Sequence, residues 1–251
     1  MNFAKGSSVL VMFAALIAAV PAASAATCSN ASLNGVYGII SSGLNGSLQP
    51  ATSVNRVSLD GAGNATGSAT KSIDGTIVTY TFTGTYQIAK NCTGTATWTN
   101  QDGATEHDNI YLNNGNKGGF LIQTDANHVQ SSVGVSQGTA KCTNAGVKHA
   151  YSLQLTGTVI SVGQIAVGGQ ISLDGKGSVS GTATLSLNGT IENSLTVTGT
   201  YSINSDCTGT AQITPQGLSP INLSLLVVNA DKEIMAIETD TNTIVSGTLV
   251  E

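Results

Sequence analysis

Charge is scarce in this chain of 251 residues: Asp, Glu, Lys and Arg together make up 9% of it, where an ordinary soluble domain carries about 25%. Arg56 is its one arginine. Nucleic-acid binding rests on clustered Lys and Arg that neutralise phosphates, and no basic stripe can be assembled here; anionic membrane surfaces are excluded as partners on the same ground. Aromatic residues are equally sparse, at 4%, with Trp98 the single tryptophan, so a core built from this chain can leave internal space. Beyond residue 25 no apolar run approaches the roughly 20 residues that a membrane-spanning helix needs. No stretch of ten or more residues there has helical periodicity, which disfavours parallel α/β architectures.

What is present begins with an amino-terminal signal. Lys5 precedes an apolar run from Val9 to Val20, and Ala23-Ser24-Ala25 follows ahead of Ala26. This is the layout of a cleaved secretory signal peptide over residues 1–25. The mature protein is therefore expected outside the cytoplasm, secreted or periplasmic. Loss of Lys5 leaves eight basic against fourteen acidic groups, a net charge of −6.

The remainder is written twice. At an offset of 114, Cys142 falls on Cys28, Tyr151 on Tyr37, and Asp174-Gly175 on Asp60-Gly61. After Gly75 and Gly189 one residue is gained. At offset 115, Gly199-Thr200-Tyr201 then repeats Gly84-Thr85-Tyr86, and Cys207-Thr208-Gly209-Thr210 repeats Cys92-Thr93-Gly94-Thr95. Such a period is too long for a solenoid turn and suits a whole small domain. Two units are expected, 26–139 and 140–251, and a fragment from Ala140 to Glu251 is expected to fold alone.

Four cysteines allow three pairings. Only Cys28 with Cys92 and Cys142 with Cys207 treats the copies alike, and an oxidising compartment favours disulfides over a metal site. No C-x-x-C is present, and no metal or other cofactor is expected.

Strand alternation is plain in the second copy, where Ile191, Leu195, Val197, Tyr201 and Ile203 are assigned to one face and Thr196, Thr198 and Thr200 to the other. Val78, Tyr80, Phe82, Tyr86 and Ile88 repeat it in the first. Asp60-Gly61, Asp74-Gly75, Asp102-Gly103 and Asn114-Gly115 cut the first copy into hairpins; Asp174-Gly175, Asn188-Gly189, Pro215-Gln216-Gly217 and Asn229-Ala230-Asp231 cut the second. The expectation is all-β, two tandem antiparallel up-and-down barrels of about eight strands, with two-sheet sandwiches as the alternative. Gly84 and Gly199, inward-facing in the longest strand, are read as marking a bulge or sharp bend. Counting strands puts each disulfide across one barrel end, leaving the other open.

The segments FTGTYQIAKNCTGT and VTGTYSINSDCTGT, preceded by SLDGAGNATG and SLDGKGSVSG, resemble the tandem repeats of secreted proteins of environmental bacteria to which no activity is assigned. The resemblance spans nearly the whole mature chain and implies no catalytic or cofactor residue. In architecture the expected barrels are also similar to lipocalin-like and allene-oxide-cyclase-like barrels, although Gly35-Val36-Tyr37 stands where many lipocalins have G-x-W.

Candidate chemistry is thin. Gly134 to Gly138 matches G-x-S-x-G around Ser136, but no helix follows to make a nucleophile elbow. Asp60-Gly61-Ala62-Gly63 and its copy at Asp174 read as turns rather than phosphate or calcium loops. His107, His128 and His149, with Glu106, Asp108 and Asp125, hold atoms suited to a transition metal; they have no counterparts in the second copy, and solvated surface residues are expected. Tyr86 and Tyr201, each six residues before a cysteine, are either packing anchors or contacts to a ligand. The chain is thus expected to be non-catalytic, binding a small apolar ligand or serving as a surface, matrix or adhesion component. A cyclase- or isomerase-type enzyme would require polar groups inside a barrel. A packed or a hollow interior separates these classes.

Overall fold

The computed structural model describes residues 27–113, 117–138 and 141–251. The segment expected to be a signal peptide, the turn expected at Asn114-Gly115 and the junction residues 139–140 lie outside them. Sixteen strands form two closed eight-stranded antiparallel barrels, not sandwiches. Barrel 1 comprises β1 (Asn34–Leu44), β2 (Pro50–Asp60), β3 (Asn64–Ile73), β4 (Thr76–Ile88), β5 (Thr93–Asn100), β6 (Thr105–Leu112), β7 (Gly118–Gln123) and β8 (Val129–Ser136). Barrel 2 repeats the order with β9 (Ala150–Val159), β10 (Gly163–Leu173), β11 (Ser178–Leu187), β12 (Thr190–Ile203), β13 (Thr208–Pro215), β14 (Ile221–Val228), β15 (Glu233–Glu238) and β16 (Thr243–Val250). Consecutive strands pair throughout, and β1 with β8 and β9 with β16 close the rings, which removes the unpaired edges of a sheet. Asp74-Gly75 and Asn188-Gly189 both lie at positive φ, the backbone that two-residue hairpins demand.

The residue gained in the second copy is a β-bulge. Pairing of β11 with β12 slips between Ala183 and Leu185, so that Leu185 faces Glu192 while Ala183 faces Leu195, and Ser194 takes a φ of 55°. An extra residue reverses the facing of everything before it. Ile191, assigned from alternation to the inner face, consequently lies outside and is 54% exposed. Gly84 and Gly199 mark no bulge, since the ladder runs unbroken through both. A Cβ on Gly84 would lie 2.7 Å from the carbonyl oxygen of Thr97 and 2.6 Å from the Trp98 ring, so glycine lets the neighbouring strand approach.

Disulfides join Cys28 to Cys92 and Cys142 to Cys207, spanning 64 and 65 residues. Each draws the segment before its first strand across one barrel end. In barrel 1 the Asn30 side chain accepts a hydrogen bond from Ile88 N at 2.7 Å; Asn144 does the same for Ile203 N in barrel 2.

The two barrels also pack on each other. Outward-facing Val54 meets Leu226, Val228, Met235 and Ile237, flanked by Ile40 and Val135. Gly38 supplies the seat, because a Cβ there would stand 2.5 Å from Val228 Cγ1. Ser72 Oγ donates to Thr243 O at 2.6 Å and Arg56 Nε to Asp206 O at 2.9 Å, tying the rim. With Ile234 and Ala236 inside the barrel and Met235 and Ile237 at the interface, β15 is buried on both faces. The copies are two closed barrels joined by an apolar interface, and a lone fragment of barrel 2 would bare four large side chains.

Candidate functional site

Barrel 1 is hollow at the end away from its disulfide. A cavity of about 470 Å³, within the range of small-molecule sites, opens past the β5–β6 turn at Gln101 and Asp102 and past His128. One wall is aromatic. Tyr80 and Phe82 point inward from β4 and Trp98 from β5, with Phe82 edge-on to Trp98 at 5.7 Å and 81°. The facing wall is polar yet buried, with Asp108, Gln123 and Gln130 at 6%, 7% and 7% exposure and Ser41 and Ser132 beside them.

Hydrogen bonds hold part of this wall in place. Trp98 Nε1 donates to Asp108 Oδ2 at 2.7 Å, Ser132 Oγ to Ser41 Oγ at 2.7 Å, and Gln123 Nε2 to Asp125 Oδ2 at 3.2 Å. The Oε1 atoms of Gln123 and Gln130 are buried and have no hydrogen-bond donor among the described residues. A buried acceptor left so costs about 1–3 kcal/mol, and both side chains belong to the cavity wall. Burial, reinforced by Glu106 and Asp125 and opposed by the Trp98 hydrogen bond, pushes the Asp108 carboxyl up to about 6. Tyr80 is pushed up to about 12, by burial and then by Glu106. Lys71 reaches the same cavity from β3.

Barrel 2 repeats the geometry without the chemistry. Ser41 pairs with Ser53 in β1–β2, and their counterparts Leu155 and Val167 pair identically in β9–β10. Lys71 becomes Leu185, Tyr80 Leu195, Trp98 Ile213, Asp108 Leu223 and Gln130 Val245. Leu155, Val167, Ile213, Leu223 and Val245 join one apolar cluster that packs the second barrel. Of the polar wall only the Gln123 position stays polar, as Glu238. Burial first, then Asp240, pushes that carboxyl up to about 7.

The residues singled out in the sequence fall elsewhere. Tyr86 and Tyr201 stand at the disulfide ends, away from the large cavity. Each hydroxyl accepts a backbone N–H at 2.9 Å, from Gly61 and Gly175 respectively, and donates to a plug carbonyl, that of Leu33 or Asn144. Tyr86 borders an apolar void of about 40 Å³. Asp60 and Asp174 each accept three backbone N–H groups at 2.7–2.9 Å across their turns; the Asn64 side chain, donating to Asp60 Oδ2 at 2.7 Å, and then these backbone groups lower Asp60 to about 2, and the backbone groups lower Asp174. Ser136 ends β8 with its backbone paired to Lys117 and Asn229, so it makes no nucleophile elbow.

The histidines are dispersed. His107 pairs with Asp125 at 2.7 Å outside barrel 1, His128 flanks its mouth, and His149 meets Glu251 at 3.2 Å beside barrel 2. Glu106 and Asp108 are not the solvated surface residues that the sequence led us to expect: alternation on β6 sends both inward, and Asp108 is buried. Comparison of the chain with protein-family models, curated proteins and solved structures gave no match.

Proposed function

We propose that barrel 1 binds a small amphipathic molecule and that barrel 2 is its packed support. One observation carries this reading: Ser41, Ser53, Lys71, Tyr80, Trp98, Asp108 and Gln130, polar or aromatic around the first cavity, are all aliphatic in the second copy. A core that needed only stability would favour the aliphatic version, since buried polar groups cost free energy unless fully paired. The chemistry of the walls selects a ligand with a flat apolar part, to lie against Tyr80, Phe82 and Trp98, and with N–H or O–H donors for Gln123, Gln130 and Asp108. The two disulfides support an oxidising setting, in keeping with secretion through the amino-terminal signal. The hollow interior favours binding over a purely structural or adhesive role.

Trp98 is the only tryptophan and lines this cavity, so its fluorescence reports on it. Titration with N-phenyl-1-naphthylamine, a neutral aromatic amine, should quench it saturably at one probe per chain. Filling the cavity with the residues of the second copy, Ser41→Leu with Ser53→Val, should weaken binding at least tenfold while the circular dichroism spectrum stays unchanged. Equal binding by the filled variant would sink the proposal.

A second reading has one observation in its favour. Catalysis of the cyclase or isomerase type needs polar groups inside a barrel, and Asp108 offers there a carboxyl that exchanges its proton near pH 6. Recovery of a bound compound after incubation separates the two. A carrier returns it unchanged; an enzyme returns product in excess over protein.

A further inference from the structure

Barrel 1 carries a second, outward-facing feature. Tyr111 on β6, Phe120 and Ile122 on β7 and Val133 on β8 point away from the cavity and are 46%, 58%, 45% and 42% exposed. Tyr111 stands opposite Phe120, and Phe120 opposite Val133. The row then continues through Ile40 of β1 to Val54 of β2, which are already covered by barrel 2. The exposed patch is thus the uncovered part of a band whose other part is an interface.

The duplication says what such a face is for. At offset 115, Tyr111, Phe120 and Ile122 correspond to Leu226, Met235 and Ile237, the residues that barrel 2 buries on barrel 1. The chain therefore uses this face of the repeat once, to dock another barrel. In barrel 1 the same face is open and bears larger rings. Phe120 is one of only two phenylalanines after residue 26, and the other lines the cavity.

We propose that this face pairs with its own counterpart in a second copy of the chain, giving a closed two-fold dimer through β6, β7 and β8 of barrel 1. A head-to-tail arrangement would repeat the contact between barrels, but both receiving surfaces are unsuitable. The β1–β2 sheet of barrel 1 is occupied by barrel 2. Its counterpart on β9–β10 presents Ser152, Gln154 and Gln170 where barrel 1 has Gly38, Ile40 and Arg56, and these polar groups would lose water without gaining partners. The uncovered apolar surface that matches the patch is the patch itself, and a self-complementary contact closes after two subunits. A groove between Phe120, Val133, Val135 and the Asn229–Ala230 turn of barrel 2 borders it and can seat the partner's ring.

Sedimentation velocity and light scattering on the full processed protein, from about 1 to 100 µM, test this. The expected result is a species of twice the chain mass that Phe120→Lys and Ile122→Glu each convert to monomer. Both variants should keep the wild-type circular dichroism spectrum and the Trp98 response to N-phenyl-1-naphthylamine, since neither side chain reaches the cavity. Gln154→Lys, on the polar β9–β10 sheet, should leave the dimer intact. As a measurement independent of the charged variants, Ile122→Cys should form a cross-linked dimer on mild oxidation, because the two-fold axis runs close to that strand. A wild-type monomer at 100 µM overturns the proposal. So does a dimer that survives both charged variants, or a ladder of species that grows with concentration and is blocked by Gln154→Lys, which is the head-to-tail outcome.

Discussion

Replacement of Asp108 by Asn should make the protein more stable at neutral pH, and the gain should vanish in acid. The carboxyl is held at about 6, against an ordinary value of 3.8, so between these values the folded chain keeps a proton that the unfolded chain has released. Stability is therefore fully present below about pH 4, falls as pH rises toward 6, and stays at its lower level above that. The gap corresponds to about 3 kcal/mol. Asn is neutral at every pH and can still accept the hydrogen bond from Trp98 Nε1. The weaker bond to an amide is already contained in that figure, because the Trp98 hydrogen bond is one of the influences that set the carboxyl at about 6, so the gain at pH 8 is about 3 kcal/mol. Urea unfolding followed through Trp98, with the disulfides intact, gives the difference directly. The stability curves of variant and wild type should meet near pH 4, diverge to pH 6 and run parallel beyond. Curves parallel across the whole range, or a variant less stable at pH 8, would refute the argument from burial. The same variant should bind an amine-bearing aromatic probe more weakly, the exchange of stability for binding expected of a functional site.

Glu238 is the matching case in barrel 2: with its carboxyl held at about 7 rather than 4.5, Glu238→Gln should raise stability by about 2–3 kcal/mol at pH 8 and by little at pH 4, read from thermal melts at both pH values. A fragment from Ala140 to Glu251 should fold, since barrel 2 closes its own ladder and holds its own disulfide. With Leu226, Val228, Met235 and Ile237 bared it should also self-associate, and Met235→Lys within the fragment should return it to monomer; a fragment with no cooperative melt would mean that the barrels depend on each other to fold.

The fold was legible because its signals are local and doubled. Asp-Gly and Asn-Gly turns dictate hairpins, and a symmetric cysteine pattern left one pairing that respects both copies. The candidate site was harder to see because likeness between the copies drew attention to Tyr86 and Tyr201, which hold the segments that cross the disulfide ends, whereas the proposed function rests on positions where the copies differ. Ser41 against Leu155 and Asp108 against Leu223 were visible in the sequence once each strand's inner face was assigned. Asp108 was misjudged because a carboxylate beside His107 and Asp125 looks like surface; only the inward parity of β6 places it in the cavity. The interface between barrels had a signal too. Leu225 to Val228 and Ile234 to Ile237 are unbroken apolar runs where a barrel strand facing water should alternate. Ile191 was misassigned for a physical reason of a different kind, since alternation cannot be carried through a bulge, and the change of offset from 114 to 115 was that bulge.

The central claim, one hollow binding barrel supported by one packed barrel, is tested most directly by a crystal structure of the protein with N-phenyl-1-naphthylamine. The account predicts a single molecule per chain inside barrel 1, its rings against Phe82 and Trp98 and its N–H directed to the polar wall of Asp108, Gln123 and Gln130. Density for the probe inside barrel 2, or only on the outer surface with the first cavity unfilled, would contradict it.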